Sequence, residues 1–143
     1  MGDKVGLNHY DSPLTPLYER EEYTYILSLE KEVLMPFFSF NDSTYKEVAP
    51  GVKMRSAHLS NTMLTYFELE SGAIMPSHKH PHEQVTLVIE GEMELTVGGE
   101  TRILKRGDGA TVPPNVEHKA LILSQRVKAV DAWYPIREDY VIE

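Results

Sequence analysis

The sequence predicts an all-β fold, a sandwich or barrel, and three observations carry that prediction. Apolar or alternating runs of strand length follow one another from Tyr45 onward. Gly- and Pro-bearing turns separate them at close, regular spacing. No stretch carries the 3.6-residue apolar period of an amphipathic helix. Strands that bury one face must pack that face on another sheet, so many short strands imply two layers or a closed barrel.

The first 44 residues read differently from the rest. Residues 1–16 carry Gly2, Gly6, Pro13 and Pro16 with little periodicity, the pattern of a loosely tied tail. Tyr23, Tyr25, Leu27 and Leu29 then alternate with Thr24, Ile26 and Ser28, which suits a strand partly covered on both sides. A short helix over Tyr18–Glu22 is an equal reading of the start of that stretch. Phe37, Phe38 and Phe40 form a hydrophobic plug for another surface, a partner subunit being one candidate. Residues 1–44 are therefore read as an extension and 45–143 as the barrel domain.

Within the barrel, strands are expected at Val52–Leu59 and Met63–Glu70, parted by Ser60, Asn61 and Thr62, with Ser71-Gly72 closing the second. Val85–Ile89 is a continuous apolar run ended by Glu90-Gly91. Met93, Leu95 and Val97 alternate with Glu92, Glu94 and Thr96, a half-buried strand. Gly98-Gly99 supplies the positive φ angles of a two-residue hairpin and returns the chain through Thr101–Leu104. Gly107-Asp108-Gly109 and Pro113-Pro114-Asn115 are further turns, and Ala120–Leu123 and Val127–Tyr134 the last strands.

Composition narrows the function classes. The 143 residues fit one domain and one core, at 41% apolar and 25% charged. A net charge of −8, with 22 acidic against 14 basic residues and no basic cluster, argues against a nucleic-acid surface. No apolar run approaches the roughly 20 residues that span a bilayer. Met1 to Tyr10 lacks the basic start and apolar stretch of a secretory signal, so a cytoplasmic location is the default expectation. Cysteine is absent, which removes disulfides, thiolate metal sites and Cys nucleophiles.

Chemistry enters with the histidines. His78 and His80 are two apart, so on an extended chain their imidazoles point to one side, and Gln84 shares their parity. His118 follows the Pro-Pro-Asn turn, where an antiparallel neighbour can bring it alongside. Imidazoles converging from two strands suit Zn, Fe, Ni or Cu rather than Ca or Mg, which prefer oxygen. A lone His-x-His is also common without a metal. His82 and Glu83 read as solvent-facing or as outer support, and His9 and His58 have no partner in the pattern.

Gly72-x5-His78-x-His80-x3-Gln84-x6-Gly91 resembles the first cupin motif, and Gly107-x5-Pro113-x-Asn115-x2-His118 the second. Together with the short spacer Glu92 to Arg106, they resemble small single-domain cupins over roughly 45–137. The resemblance implies a double-stranded β-helix, a jelly-roll barrel of two antiparallel sheets with one divalent metal ion inside, Zn, Ni, Fe and Mn not being told apart. Two departures bear on chemistry. Gln84 stands where Glu is usual, so a three-His, one-Gln shell would be neutral, favouring an anionic ligand and supporting high-valent iron poorly. Asn115 and Ile122 replace the usual Gly and Asn. Asn tolerates left-handed backbone, and Ile122 is expected to pack in the sheet.

The run His78-Lys79-His80-Pro81-His82-Glu83-Gln84 is similar to the HxHPHEQ signature of a cupin subgroup that includes the KdgF type of the pectin and alginate pathways. Asp131, Pro135, Arg137, Glu138 and Asp139 also match that type's terminal strand, with Trp133 where Phe is usual. The resemblance implies His78, His80, Gln84 and His118 as metal ligands, Asp131 as the proton-transfer residue, and Arg137 and Trp133 as substrate-binding residues. The implied activity is ring opening and ketonisation of 4,5-unsaturated uronates. The alternatives are a non-catalytic metal- or small-ligand-binding module and an Fe(II) oxygenase. A small, anionic molecule and a second copy of the chain are the expected partners.

Overall fold

Of the chain, the computed structural model describes residues 37–142. His9, the Tyr18–Glu22 helix and the Tyr23–Leu29 strand lie outside them. The described strands all fall in one compact unit, Phe38–Glu143.

Ten strands follow in order: β1 Lys46–Ala49, β2 Val52–His58, β3 Met63–Glu70, β4 Ile74–His78, β5 Glu83–Glu90, β6 Glu92–Val97, β7 Glu100–Lys105, β8 Gly109–Val112, β9 His118–Ile122 and β10 Arg126–Tyr134. A single 3₁₀ turn, Glu138–Tyr140, follows. All the ladders are antiparallel and form two sheets, β1-β2-β3-β10-β5-β8 and β4-β9-β6-β7. This is a two-sheet jelly roll, as the resemblance implies. Among the described residues, no helix is long and apolar enough to cross a membrane.

Turn chemistry fixes much of this register. Gly98 and Gly99 both hold positive φ, 56° and 87°, and join β6 to β7 with Val97 opposite Glu100. That is the geometry a twisted two-residue hairpin needs. Gly91 alone carries the chain from one sheet to the other, at φ 84°. A Cβ there would stand 2.2 Å from the Arg126 carbonyl oxygen, so no larger residue fits. Asn115 sits at φ 62°, the left-handed angle expected of it.

Alternation then decides what faces inward. β3 buries Met63, Thr65, Phe67 and Leu69, and β10 buries Val127, Ala129, Asp131 and Trp133. Val52 and Met54 from β2, Val88 from β5 and Met93, Leu95, Leu104 and Ile122 from the second sheet complete the core. Ile122 packs as expected. Burying an apolar side chain of this size stabilises by about 1.5–3 kcal/mol, so this interior is the main source of stability.

The run Val85–Ile89 is not buried throughout. Gln84, Thr86 and Val88 point inward, whereas Val85, Leu87 and Ile89 stand on the outer face, 53%, 47% and 39% exposed. An apolar run alone does not report its own register; the β5–β10 pairing does. Three strands, β1, β4 and β8, are so short or so interrupted by Pro and Gly that no periodicity announces them.

Candidate metal centre

Both sheets contribute to one end of the barrel interior. His78 at the end of β4 pairs directly with His118 at the start of β9, in the smaller sheet. Gln84 on β5 faces Trp133 on β10, and Asp131 lies between Thr65 and Thr86 in the larger one. His80 belongs to neither. It sits in the connection between β4 and β5, where the Asn115 amide donates to its carbonyl at 2.7 Å. Strand parity therefore does not align His78 with His80. The chain turns, and the turn of the second motif clasps the loop of the first.

The imidazoles converge all the same. One ring nitrogen from each of His78, His80 and His118 lies within 4.8 Å of the others. His78 is half-buried; His80 and His118 are buried. Every Nδ1 is committed to a backbone carbonyl: His78 to Pro76 at 2.8 Å, His80 to His82 at 3.1 Å, and His118 to Val116 at 2.9 Å. A carbonyl only accepts, so each Nδ1 carries the proton and each Nε2 presents a lone pair. Burial, the charge of Arg137 and the neighbouring imidazole push His80 down to about 4, and burial also lowers His118, so both rings are neutral near pH 7.

Gln84 adds a fourth donor. Its amide nitrogen donates to the Thr86 hydroxyl at 2.9 Å and to Asp131 Oδ2 at 3.0 Å. Its Oε1 is thereby turned inward, 3.1 Å from His80 Nε2, while His80 Nε2 and His118 Nε2 lie 3.2 Å apart. Three acceptors meet with no hydrogen between them. Lone pairs held this way repel unless a cation lies among them, and three imidazole nitrogens with one amide oxygen are a donor set for a divalent transition ion. The residues fit the metal that the fold implies.

Asp131 completes the polar end. Oδ2 accepts from Gln84, and Oδ1 is buried with no partner. Desolvation raises its carboxyl to about 7, while the adjacent Thr86 hydroxyl, the Gln84 amide and the charge of Arg137 act to lower it. A cavity of about 60 Å³ runs inward from this group, lined by His78, Gln84, His118, Asp131, Trp133 and Tyr140 and, deeper, by Phe67, Met75, Met93 and Leu95.

Trp133 and Arg137, the residues expected to bind substrate, lie beside the centre. Trp133 is 4% exposed, its indole N–H donates to Thr65 at 2.8 Å, and its ring meets His80 edge-on at 5.2 Å. It walls the cavity rather than offering an open face. The Arg137 guanidinium covers Tyr140 at 3.8 Å and lies 5.1 Å from the Trp133 centroid. Its Nε and Nη2 hold Asp139 at 3.2 and 2.6 Å, so that edge of the fork is occupied; Nη1 is buried and unpartnered. His82 is half-buried and gives the centre its backbone carbonyl, and its own Nδ1 has no partner. Thr65, Thr86 and Tyr140 were not marked by the sequence. The parity of Thr86 with Gln84, and of Tyr140 with Arg137 around one turn, is the signal they carried.

Residues 65–132 match the cupin domain family. The pectin degradation protein KdgF of Dickeya dadantii is 30% identical over 107 residues, 73% of this chain and 97% of that protein. The solved structure of KdgF from Halomonas sp. superposes with a TM-score of 0.70 at 29% identity, covering 73% of this chain and 97% of that one. An RmlC-like cupin from Shewanella frigidimarina gives the same TM-score of 0.70 at 30% identity, over 73% and 95%. A His-lined end of a two-sheet jelly roll, in a chain so related, has one family to belong to: this protein is a cupin, and a KdgF-like one.

Proposed function

We propose that the protein binds one divalent transition-metal ion through His78, His80, His118 and Gln84 and isomerises a small unsaturated uronate. The observation that carries the metal is the meeting of two imidazole Nε2 atoms and an amide oxygen at 3.1–3.2 Å with every proton turned away. The uronate rests on the likeness to KdgF and on Asp131 Oδ1 standing free at the cavity.

When bound, the ion supplies a Lewis acid that polarises a sugar oxygen and stabilises charge developing there. The remaining work falls to side chains. In the ring opening, the C1 hydroxyl loses its proton as the bond from C1 to the ring oxygen breaks, leaving an aldehyde at C1 and an enolate at C5. The enolate becomes a ketone as C4 gains a proton, which balances the one lost from the C1 hydroxyl. Asp131, buried beside the centre, takes and returns that proton through Oδ1. Arg137, held by Asp139, offers Nη1 to the uronate carboxylate, one charge-assisted bond rather than a full fork. Trp133 and Tyr140 hold Arg137 in place and keep water from the wall.

Two measurements test the reading. Protein purified without chelator or metal-affinity tag is expected to carry close to one metal ion per chain. Metal-loaded protein is expected to bleach the ultraviolet absorbance of a 4,5-unsaturated galacturonate or guluronate. Tight binding without turnover would instead make it a binding module.

We also propose a homodimer. Val85, Leu87 and Ile89 stand exposed on the outer face of the larger sheet, and Phe38 is 63% exposed beside Phe40, apolar side chains that a second copy would cover. Sedimentation at micromolar concentration showing only the 16.3 kDa species would overturn it.

A further inference from the structure

We propose that Asp131 is also a positioning residue for Gln84, and that its fixed carboxylate is the reason an amide rather than a carboxylate occupies position 84. The inference rests on the metal-site reading above. Its basis is the division of labour between the two oxygens of Asp131: Oδ1 has no partner, whereas Oδ2 receives the Gln84 amide N–H at 3.0 Å.

Gln84 is symmetric enough to be placed either way round. Rotating its amide by half a turn would aim the NH₂ group at His80 Nε2, and the donor set would lose its oxygen. Two acceptors prevent this. Thr86 Oγ1 at 2.9 Å and Asp131 Oδ2 at 3.0 Å both face the same amide nitrogen, and all three side chains are buried. With the nitrogen held twice on one side, Oε1 points to the histidines at 3.1 Å.

The same contact excludes glutamate. A carboxylate at position 84 would put an oxygen about where the amide nitrogen now stands, near Oδ2 of Asp131, and the N–H that bridges the two groups would be lost. Two acceptors at that distance in a dry site repel strongly. Making Gln84→Glu and Asp131→Asn together restores the bond, because the amide introduced on β10 then donates to the carboxylate introduced on β5. Positions 84 and 131 are therefore coupled, although they sit on different strands and 47 residues apart.

A four-member comparison of wild type, Gln84→Glu, Asp131→Asn and the double variant tests this in chelator-stripped protein, where no ion complicates the balance. Gln84→Glu is expected to lower Tm by roughly 5–10 °C, and adding Asp131→Asn to recover at least half of that loss. Effects of the two changes that simply add would overturn the coupling. Orientation is tested separately with Thr86→Val, which removes one acceptor and keeps the shape. Its affinity for Zn²⁺ is expected to fall by about tenfold, the usual scale for losing support behind a ligand, with Tm of the stripped protein shifting by only a few degrees. Unchanged Zn²⁺ affinity in Thr86→Val, in a background where wild type binds, would remove the clamp. Wild type that binds no Zn²⁺, Ni²⁺, Mn²⁺ or Fe²⁺ would sink the metal reading and the clamp with it, while the Tm comparison would still decide the coupling.

Discussion

The two ends of the barrel interior are built from the same strands yet obey different rules. Along β10 the inward positions read Val127, Ala129, Asp131, Trp133; along β5 they read Gln84, Thr86, Val88. One end is closed by Val52, Met54, Leu69, Val88 and Val127, all at 4% exposure or less. The other is also buried but polar, and Gln84, Thr86, Asp131, Trp133 and Thr65 are linked by hydrogen bonds that leave Asp131 Oδ1 without a partner. At the dry end a side chain contributes by filling space. At the polar end it contributes by direction, because a buried polar group without a partner costs about 1–3 kcal/mol. Burial therefore does not separate structural from functional residues here; partner geometry does.

Substitutions can break or sharpen that contrast, and the largest effect should come from Asp131→Asn. It keeps the shape while removing the base, so kcat for an active uronate is expected to fall by about 10²–10⁴-fold with KM little changed. Equal losses in both parameters would make Asp131 purely a support for Gln84. Next is His118→Ala, expected to weaken metal binding by about 10–100-fold or more, whereas His82→Ala, which keeps the backbone carbonyl, should leave metal content nearly unchanged. If His82→Ala strips the metal instead, the ligand set is wrong.

At the dry end, Met54→Ala should cost about 2–5 kcal/mol in chemical denaturation while the native protein keeps its metal affinity. A large change in affinity would show that the two ends are not independent. The smallest effects fall on the rim. Arg137→Lys keeps the charge but cannot hold Asp139 with two parallel bonds, so KM should rise several-fold with a lesser loss in kcat. Trp133→Phe should be milder still in kinetics, though it removes the indole N–H that the buried Thr65 hydroxyl accepts.

What the sequence made legible follows from range. Local turn chemistry was plain: Gly98-Gly99 and Asn115 needed left-handed angles and have them. The alternation of β6 marked Met93 and Leu95 as its inner face, and the histidines with Gln84 stood out by type and spacing. Register between distant strands was not legible, because a one-residue slip exchanges the faces without changing the local pattern. That is why the apolar run Val85–Ile89 gave no sign that Val85, Leu87 and Ile89 face outward. The same gap hid Thr65 and Thr86, whose roles exist only because β10 lies between β3 and β5.

The connection that holds His80 has a kinetic consequence. It is tied to the turn after β8 by the single backbone bond from Asn115, while on either side of it the sheets meet through a few directional contacts and not through interdigitated apolar side chains. Such contacts open one at a time, each at modest cost, whereas packed cores open together. The barrel should therefore breathe at this end alone, with the amides around His80 and Asn115 exchanging their hydrogens well before those of β2 and β3. Entry and departure of whatever the cavity takes would then need no unfolding, only the release of one loop.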